Sequence, residues 1–286
     1  MSYERSHTIY EYFESRILRI YPALFVVIFC SVFILGPLVT TYTIKDYFFN
    51  SQTVKYFFAN ILAVRIQYIL PGVFEGNFKP DTVNASLWTL PIEIACYVAV
   101  AVVGEFFARR IKVALVLLAI LSACFYYIFL SSFIGLVFYF LCGALIYIYR
   151  NKIVLNKWLF LISLLILLVD LRYSVFFNTN SLLKAFAFFS KAVVFSYIIM
   201  YISFIKTGSL SRFSKNGDFS YGLYIWAFPV QQLLIYQYKE INPYVFFVVS
   251  ALITLLLSVL SWKLVEKKAL KYKKKLIRRN AEVILT

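Results

Sequence analysis

The stretch Asn84-Ala-Ser-Leu-Trp-Thr-Leu-Pro-Ile-Glu-Ile-Ala-Cys-Tyr97 places a carboxylate, Glu93, in a run that is otherwise apolar enough to enter a bilayer. An ionisable side chain inside a spanning segment is energetically costly, and it usually faces a bundle interior or a wet cavity. A helix that begins near Ser86 would stack Glu93 with Tyr97 one turn on and with Ser86 two turns back. The stretch therefore predicts a polar stripe on an apolar helix, in which Glu93 is either functional or paired with a neighbouring helix for packing alone.

Composition indicates an integral membrane protein. Of the 286 residues, 62% are hydrophobic, 20% aromatic and 15% charged, far from the balance of a soluble domain. A net charge of +16 would suit nucleic acid, but no stacking module or phosphate-binding glycine loop accompanies it, and the basic residues collect between apolar runs. We interpret them as membrane anchors and expect no nucleic-acid partner.

The apolar runs predict an all-α polytopic bundle of about eight spans, since about 20 residues cross the hydrocarbon core. The predicted spans are Ile20 to Val39, Leu87 to Gly104, Val113 to Leu130, Phe133 to Tyr149, Trp158 to Leu171, Leu182 to Ile205, Phe219 to Tyr238 and Tyr244 to Leu264. The fifth is short and is followed by Arg172. The segment from Thr40 to Ala85 is broken by prolines and glycines, and it is predicted to be an extramembrane loop with one or two helices at the interface.

The distribution of lysine and arginine predicts the orientation, because these residues concentrate on the cytoplasmic side. With both termini cytoplasmic, every inner segment contains at least three of them. We therefore predict one membrane domain, 1–286, with a basic cytoplasmic tail, 267–286, that binds anionic inner-leaflet lipids. No internal repeat of the kind seen in many transporters is evident.

Cysteine and histidine usage argues against a metal site. The four cysteines all fall inside apolar runs, which is typical of small packed side chains; they are Cys30, Cys96, Cys124 and Cys142. The single histidine, His7, lies in a polar segment at the predicted cytoplasmic surface and is interpreted as a solvated loop residue. No metal and no bound cofactor are expected.

Arg16 and Arg19 lie three residues apart, and hence on one helical face, where the chain enters the membrane from the cytoplasm. Two guanidinium groups so placed suit a polyphosphate, because arginine makes bidentate, charge-assisted bonds to phosphate oxygens. The alternative is that both residues only follow the positive-inside bias and touch lipid phosphates.

Four motifs in order resemble those of the membrane acyltransferase family 3. They are Glu14-Ser-Arg16-Ile-Leu-Arg19-Ile-Tyr-Pro22, Ser86-Leu-Trp88-Thr-Leu-Pro-Ile-Glu93, Phe219-Ser-Tyr221-Gly-Leu-Tyr224-Ile-Trp226-Ala-Phe228-Pro229 and Leu264-Val-Glu266-Lys267. This family comprises bacterial inner-membrane O-acetyltransferases that modify surface polysaccharide, lipopolysaccharide and peptidoglycan. The resemblance spans nearly the whole chain.

The resemblance implies acyl transfer from acyl-CoA at the cytoplasmic face to a sugar hydroxyl on the outer side, through a passage that both ends share. Arg16 and Arg19 would hold the phosphates of CoA. Glu93 would orient a catalytic imidazole or accept the hydroxyl proton, and Trp88 would offer a flat face to a sugar ring or acyl chain.

Three further hydroxyl-bearing residues are candidates for substrate contact. Ser86 lies in the second motif, and Tyr221 and Tyr224 form a stripe at the start of the seventh predicted span. Hydrogen bonding between helices explains that stripe as readily as substrate binding does.

The sequence departs from the family's pattern in three places. Family members typically have ten spans with a catalytic histidine in the first, whereas here the arginine motif begins at Arg16. A truncated reading frame, or a fragment that needs a partner, is therefore expected, with activity of residues 1–286 alone in question. A histidine often present after the tryptophan counterpart is Ala227 here, and the usual Glu-Lys-Pro ending is Glu266-Lys267-Lys268.

Two other classes compete with the enzyme. In a carrier or flippase subunit for polysaccharide or lipid-linked sugar, Glu93 and Lys191 would be charges along the translocation path. In an inert remnant, both would serve packing only. For Lys191, inside the sixth predicted span, the open alternatives are snorkelling, pairing with an acid, or a ligand role.

Overall fold

The structure is a computed structural model that describes residues 8–77, 79, 81–106, 110–129, 132–177, 181–204 and 217–272. Within these ranges it is helical and has no strand, so the all-α prediction is confirmed. Contacts divide the described residues into two compact units. Residues 8–94 and 217–272 form the terminal unit, and residues 95–204 form the central unit.

The terminal unit contains the helices nearest both ends of the chain. They are α1 (Ile9–Cys30), a π-helical turn (Ser31–Leu35), α2 (Gly36–Val39), α3 (Ile44–Phe49), α4 (Ser51–Leu62), a 3-10 turn (Ala85–Thr89), the start of α5 (Leu90–Phe106), α10 (Ser220–Gln237), α11 (Pro243–Ser261) and a second π-helical turn (Trp262–Glu266). The central unit holds the rest of α5 with α6 (Ile111–Phe129), α7 (Ser132–Ile148), α8 (Lys157–Phe177) and α9 (Ser181–Phe204).

Short polar side chains determine where several helices begin. Each accepts a hydrogen bond from a backbone N–H in the first turn, which would otherwise be unsatisfied. The capping residues are Thr8 for α1, Thr43 for α3, Asn50 for α4, Asn84 for the 3-10 turn and Asn242 for α11.

Helices lie at all eight positions where spans were predicted. Five described stretches are long and apolar enough to cross a membrane: Ile9–Val39, Ala85–Phe106, Ile111–Ile128, Phe186–Phe204 and Pro243–Tyr272. The apolar α7 is shorter than these five stretches. A multi-pass membrane protein is thus supported, and the count of eight crossings stays a prediction.

Two helices depart from the sequence-based boundaries. The first helix begins at Ile9, well before the predicted span at Ile20, and it contains Arg16 and Arg19, as their shared helical face predicted. The fifth predicted span continues past Arg172 to Phe177. In α1 polar residues precede the apolar run, and in α8 they follow it. In both cases hydropathy alone puts the helix boundary at the edge of the apolar run.

In the terminal unit, α10 and α11 pack closely because both present small residues. A Cβ built at Gly222 of α10 would lie only 2.9 Å from the Cα of Ser258 on α11. The facing stripe of α11 is buried and consists of small hydroxyl-bearing residues, namely Ser250, Thr254, Ser258 and Ser261. Small residues allow backbones to approach closely, which is how transmembrane helices gain packing energy.

The segment 40–85 was predicted to be a loop with one or two helices at the membrane interface. Two helices, α3 and α4, form there, and their position at the interface stays a prediction. Tyr47 of α3 is fully buried, and its hydroxyl donates to the backbone oxygen of Val32 at 3.0 Å. That carbonyl lies in the first π-helical turn, where the regular helical hydrogen-bond ladder is interrupted. The contact therefore ties the loop segment to the first long helix.

Candidate functional site

Asn84 holds the segment that carries Ser86 and Trp88 against α10. Its side chain is buried, donates to the backbone oxygen of Ile225 at 2.9 Å and accepts from the backbone nitrogen of Ser86 at 3.1 Å. A short amide at this point satisfies both the start of the 3-10 turn and a helix carbonyl. The position of the Trp88 turn is thus determined by α10, about 140 residues further along the chain in the sequence.

Gln232 of α10 fastens the loop that precedes Asn84. Its Nε2 donates to the backbone oxygens of Lys79 and Thr82 at 2.9 and 2.7 Å, and its Oε1 accepts from Asn77 at 3.0 Å. Gln232 is almost completely buried. Since buried amides are stable only when hydrogen-bonded, these contacts explain a polar side chain in the middle of a helix.

A cavity of about 630 Å³ opens beside this loop, entirely within the terminal unit. Its walls are Tyr68, Lys79, Thr82, Ala85, Ser86, Trp88, Tyr224 and Phe228. The volume lies in the range of small-molecule sites, which are concave, largely apolar and carry a few polar groups. The structure therefore brings together three of the predicted substrate contacts, Ser86, Trp88 and Tyr224.

Tyr224 contributes to the cavity wall and also to the fold. Its hydroxyl donates to the backbone oxygen of Ser86 and, because its proton is used there, accepts from the hydroxyl of Thr89. Tyr221, one turn earlier on α10, does not line the cavity. Hydrogen bonding between elements therefore accounts for the hydroxyl of Tyr224, while its ring faces the cavity.

Glu93 lies in the first turn of α5, directly after the Trp88 turn. A carboxylate is favourable there because the amino end of a helix carries partial positive charge. The side chain is half-buried and acts electrostatically on the hydroxyl of Tyr224, so it lies close to the cavity without forming its wall.

Arg16 and Arg19 both lie on α1, and each meets a partner of its own. The guanidinium of Arg16 lies 5.7 Å from the ring centre of Tyr12. Arg19 pairs with Asp218, with 2.7 Å between Nη2 and Oδ2 and about 43% of each side chain exposed. Neither arginine lines the cavity beside Trp88, so the cavity does not extend to the predicted donor end.

Asp218 also accepts hydrogen bonds from the first residue of α10. Its Oδ1 accepts from the backbone nitrogen of Ser220 at 3.3 Å and from the Ser220 hydroxyl at 2.5 Å. Burial by itself raises the pKa of Asp218, but the hydrogen bonds from Ser220 and the charge of Arg19 outweigh burial and hold the pKa below its ordinary value. Asp218 was not among the predicted site residues. An acid two residues before Ser220, at the start of a helix, is the sequence signal that could have indicated it.

We expect Asp218→Asn to flatten the dependence of stability on acid pH. A carboxyl whose pKa is depressed by folding stabilises the protein above its unfolded pKa, about 3.9, and that contribution is lost as the pH falls through the folded value. The pair is partly exposed, so the change at neutral pH should stay below about 1 kcal/mol. Thermal unfolding of the detergent-solubilised protein between acid and neutral pH measures both effects.

The control for this prediction is Arg19→Gln, which removes the same ion pair from its other side. Its effect and that of Asp218→Asn should not add in the double variant, because both break one interaction. An Asp218→Asn protein with the same acid slope as the unchanged chain would contradict the assignment.

Glu266 lies near the ion pair of Arg19 and Asp218. It is almost fully buried, accepts from the Ser261 hydroxyl at 2.8 Å, and interacts electrostatically with Asp218 and Arg19. Glu266 is the last residue of the second π-helical turn, Trp262–Glu266, and it is the buried residue of that turn. The fourth sequence motif thus comes next to the first one in the folded unit.

In the central unit, Lys191 of α9 pairs with Asp170 of α8 at 2.9 Å. Of the three alternatives for Lys191, pairing with an acid is the one that the structure has. Asp170 is buried in the apolar helix α8, and it was not among the predicted site residues although an acid in an apolar run is the same signal that indicated Glu93. Two charges that would each be costly in hydrocarbon compensate each other here.

Two predicted features lie largely outside the described residues. His7 is one of them, and of the basic tail only residues 267–272 are described, as a continuation of the helix. Within the described ranges no group of three or more His, Cys, Asp or Glu side chains could hold a metal ion.

Comparison with known proteins agrees with this membrane-embedded helical architecture. A family model described as an acyltransferase domain matches residues 1–263, so the chain belongs to acyltransferase family 3 and is an acyltransferase. An O-acetyl transferase of Shigella phage Sf6 is 28% identical over 291 aligned positions, which cover 93% of this chain and 79% of that protein. Nodulation protein 10 of Rhizobium leguminosarum bv. viciae is 27% identical over 304 positions, covering 99% and 81%. No solved structure matches.

Proposed function

We propose that the protein is a membrane O-acyltransferase of a bacterial inner membrane. It transfers an acyl group, most simply acetyl, from cytoplasmic acyl-CoA to a hydroxyl of an extracytoplasmic polysaccharide. The observation that carries the proposal is the cavity formed by Ser86, Trp88 and Tyr224 beside Glu93. A relative described as an O-acetyl transferase supports the choice of acetyl.

The cavity suits a sugar unit. The ring of Trp88 is 44% exposed and offers an apolar face on which a sugar ring can stack. The ammonium of Lys79, about 6.0 Å from the ring centre of Phe228, and the hydroxyl groups of the wall supply hydrogen-bonding partners for sugar oxygens.

We assign to Glu93 the removal of the proton from the sugar hydroxyl. It either accepts this proton itself or orients a catalytic imidazole that does. The acceptor hydroxyl gives up its proton as its oxygen attacks the thioester carbonyl carbon, forming a C–O bond. The C–S bond then breaks, the ester is released, and the CoA sulfur takes up a proton. Positioning of the two substrates supplies much of the rate gain, since a bound pair reacts as a single molecule.

Arg16 and Arg19 are assigned the donor. Arginine binds phosphate oxygens through paired N–H groups, and both guanidiniums lie on one helix within a single unit. Arg19 is held by Asp218 in the structure, so a CoA phosphate would have to replace or share that carboxylate. Eight crossings with both termini cytoplasmic would place these arginines at the inner face and Trp88 at the outer one.

We expect Arg16→Ala and Trp88→Ala to affect different substrates. Loss of a charged hydrogen bond costs about 1.5–3 kcal/mol, so Arg16→Ala should raise the KM for acetyl-CoA by roughly tenfold or more. Trp88→Ala should instead raise the KM for the glycan. Membranes that contain the full chain are incubated with labelled acetyl-CoA and cell-envelope glycan, and transfer of label is followed.

Lys268→Ala is the matched control for Arg16→Ala, since it removes an exposed basic residue of the predicted cytoplasmic side. It should leave both KM values within about twofold. Glycan movement across the membrane without transfer of label would support the carrier instead, and identical changes from all three variants would contradict the assigned roles.

A further inference from the structure

A second, apolar cavity of about 450 Å³ lies in the central unit, between α5, α6 and α7. We call it the apolar groove. Its walls are aliphatic and aromatic, with Val103, Leu118 and Val137 as representatives of the three helices. The hydroxyl of Ser122 in the wall donates to the backbone oxygen of Ala119 at 2.9 Å. The groove therefore suits a hydrocarbon chain rather than a sugar.

One end of the apolar groove is cationic. Ile111, the first residue of α6, and Tyr147 and Ile148, the last of α7, line that end. Lys112 lies next to them, with its ammonium 6.0 Å from the ring centre of Tyr149. The start of α6 and the end of α7 thus bring a positive charge to the mouth of an apolar space.

Arg150 adds a second cation at the same mouth. Its guanidinium lies 4.0 Å from the ring centre of Tyr147, and its Nη1 donates to the Tyr147 backbone oxygen at 2.8 Å. Stacking on a tyrosine that itself lines the groove holds the planar group in place. A guanidinium has five N–H donors, so this contact leaves the side chain able to bind phosphate oxygens as well.

The charges in the segments that flank the start of α6 and the end of α7 are mostly of one sign. Among the described residues between positions 105 and 157, the basic ones are Arg110, Lys112, Arg150, Lys152 and Lys157, and the acidic one is Glu105. Basic clusters next to apolar clefts between membrane helices attract anionic lipid head groups. Free phosphate would use only the cations, whereas the apolar walls require a chain.

We propose that the apolar groove binds an anionic glycerophospholipid of the surrounding membrane. One acyl chain occupies the space between α5, α6 and α7, and the phosphate lies against Lys112 and Arg150. The site is separate from the residues assigned to acyl transfer, and it does not depend on the proposed reaction.

The test compares lipids with identical chains on the purified full chain in detergent. Phosphatidylglycerol is expected to bind at least about tenfold more tightly than phosphatidylcholine, because the choline ammonium of phosphatidylcholine offsets the attraction of its phosphate to Lys112 and Arg150, and a charged contact contributes a factor of that size. Glycerol phosphate, which has the phosphate and no chain, should not compete. Lipid adducts counted by native mass spectrometry and the shift in melting temperature both measure binding.

Variants separate the head group from the chain. Lys112→Ala combined with Arg150→Ala should remove the preference for phosphatidylglycerol, lowering its affinity to that of phosphatidylcholine. The matched control is Lys55→Ala combined with Arg65→Ala, which removes two exposed cations of the terminal unit and should preserve the preference.

Ala99→Phe fills the apolar groove, since Ala99 lines it, and should weaken binding of both lipids. Val98→Phe, at the neighbouring exposed position outside the lining, should not. Equal affinity for the two lipids, competition by glycerol phosphate, or unchanged binding by Ala99→Phe would each overturn the proposal. The comparison of lipids on the unchanged chain decides the matter even if a variant does not fold.

Discussion

Replacing Glu93 by Gln is expected to lower the rate of acyl transfer by roughly 10²–10⁴-fold, the usual contribution of a general base. Glutamine keeps the size and the hydrogen-bonding reach of the side chain but cannot take up a proton at neutral pH. The KM for the glycan should change little, because Glu93 does not form the cavity wall. Transfer of label from acetyl-CoA to glycan in membranes measures the rate.

The stability of this variant should be nearly unchanged. Glu93 lies in the first turn of α5, where its charge contributes only about 0.3–1 kcal/mol through the helix dipole. Glu105→Gln, near the opposite end of the same helix and exposed, is the matched control and should keep full activity. A Glu93→Gln protein that transfers label at the original rate would remove Glu93 from the reaction, whatever its effect on folding.

Gly222→Val is expected to disrupt the packing of the terminal unit. The first added carbon would lie 2.9 Å from the Cα of Ser258 and 3.1 Å from its Cβ, so the backbones of α10 and α11 would have to separate. Overpacking of a tight core costs about 1–3 kcal/mol and occasionally more, and contact with backbone favours the upper end. The melting temperature and the monodisperse yield in detergent should both fall.

Gly143→Val is the matched control, because it makes the same substitution inside helix α7, where an added Cβ would meet no atom within 4 Å. It carries the same change in helix propensity without the clash. Activity should fall with the folded fraction in Gly222→Val, since α10 supplies Tyr224 and Phe228 to the cavity. Equal melting temperatures for the two variants would show that the close approach of α10 and α11 contributes little.

Much of the secondary structure could be predicted because hydrophobic length is a local property. Apart from the start of α1 and the end of α8, the apolar runs led to helices within a few residues of their observed ends, and threonine or asparagine caps explain many of the starts. The misses have the same cause. The polar beginning of α1 at Ile9 and the extension of α8 to Phe177 contain no breaker, and hydropathy gives no reason for a helix to continue there.

The candidate site was predictable only where its residues are close in sequence. Ser86 and Trp88 share one short turn, and Glu93 follows within two helical turns, so one unusual stretch pointed to all three. Tyr68 and Lys79 join the cavity from a loop without a repeating pattern. Nothing in the local sequence of such a loop indicates which helix it will lie against.

The sequence by itself determined that this chain is a helical membrane acyltransferase with arginines on α1 and an acid at the start of α5, because apolar length and ordered motifs are written along the chain. Only the tertiary structure decided which polar groups meet: Arg19 with Asp218, Lys191 with Asp170, and Gln232 with the loop before Asn84. The physical reason is that a buried charge or amide requires a partner, and the packing of distant helices selects which partner it finds.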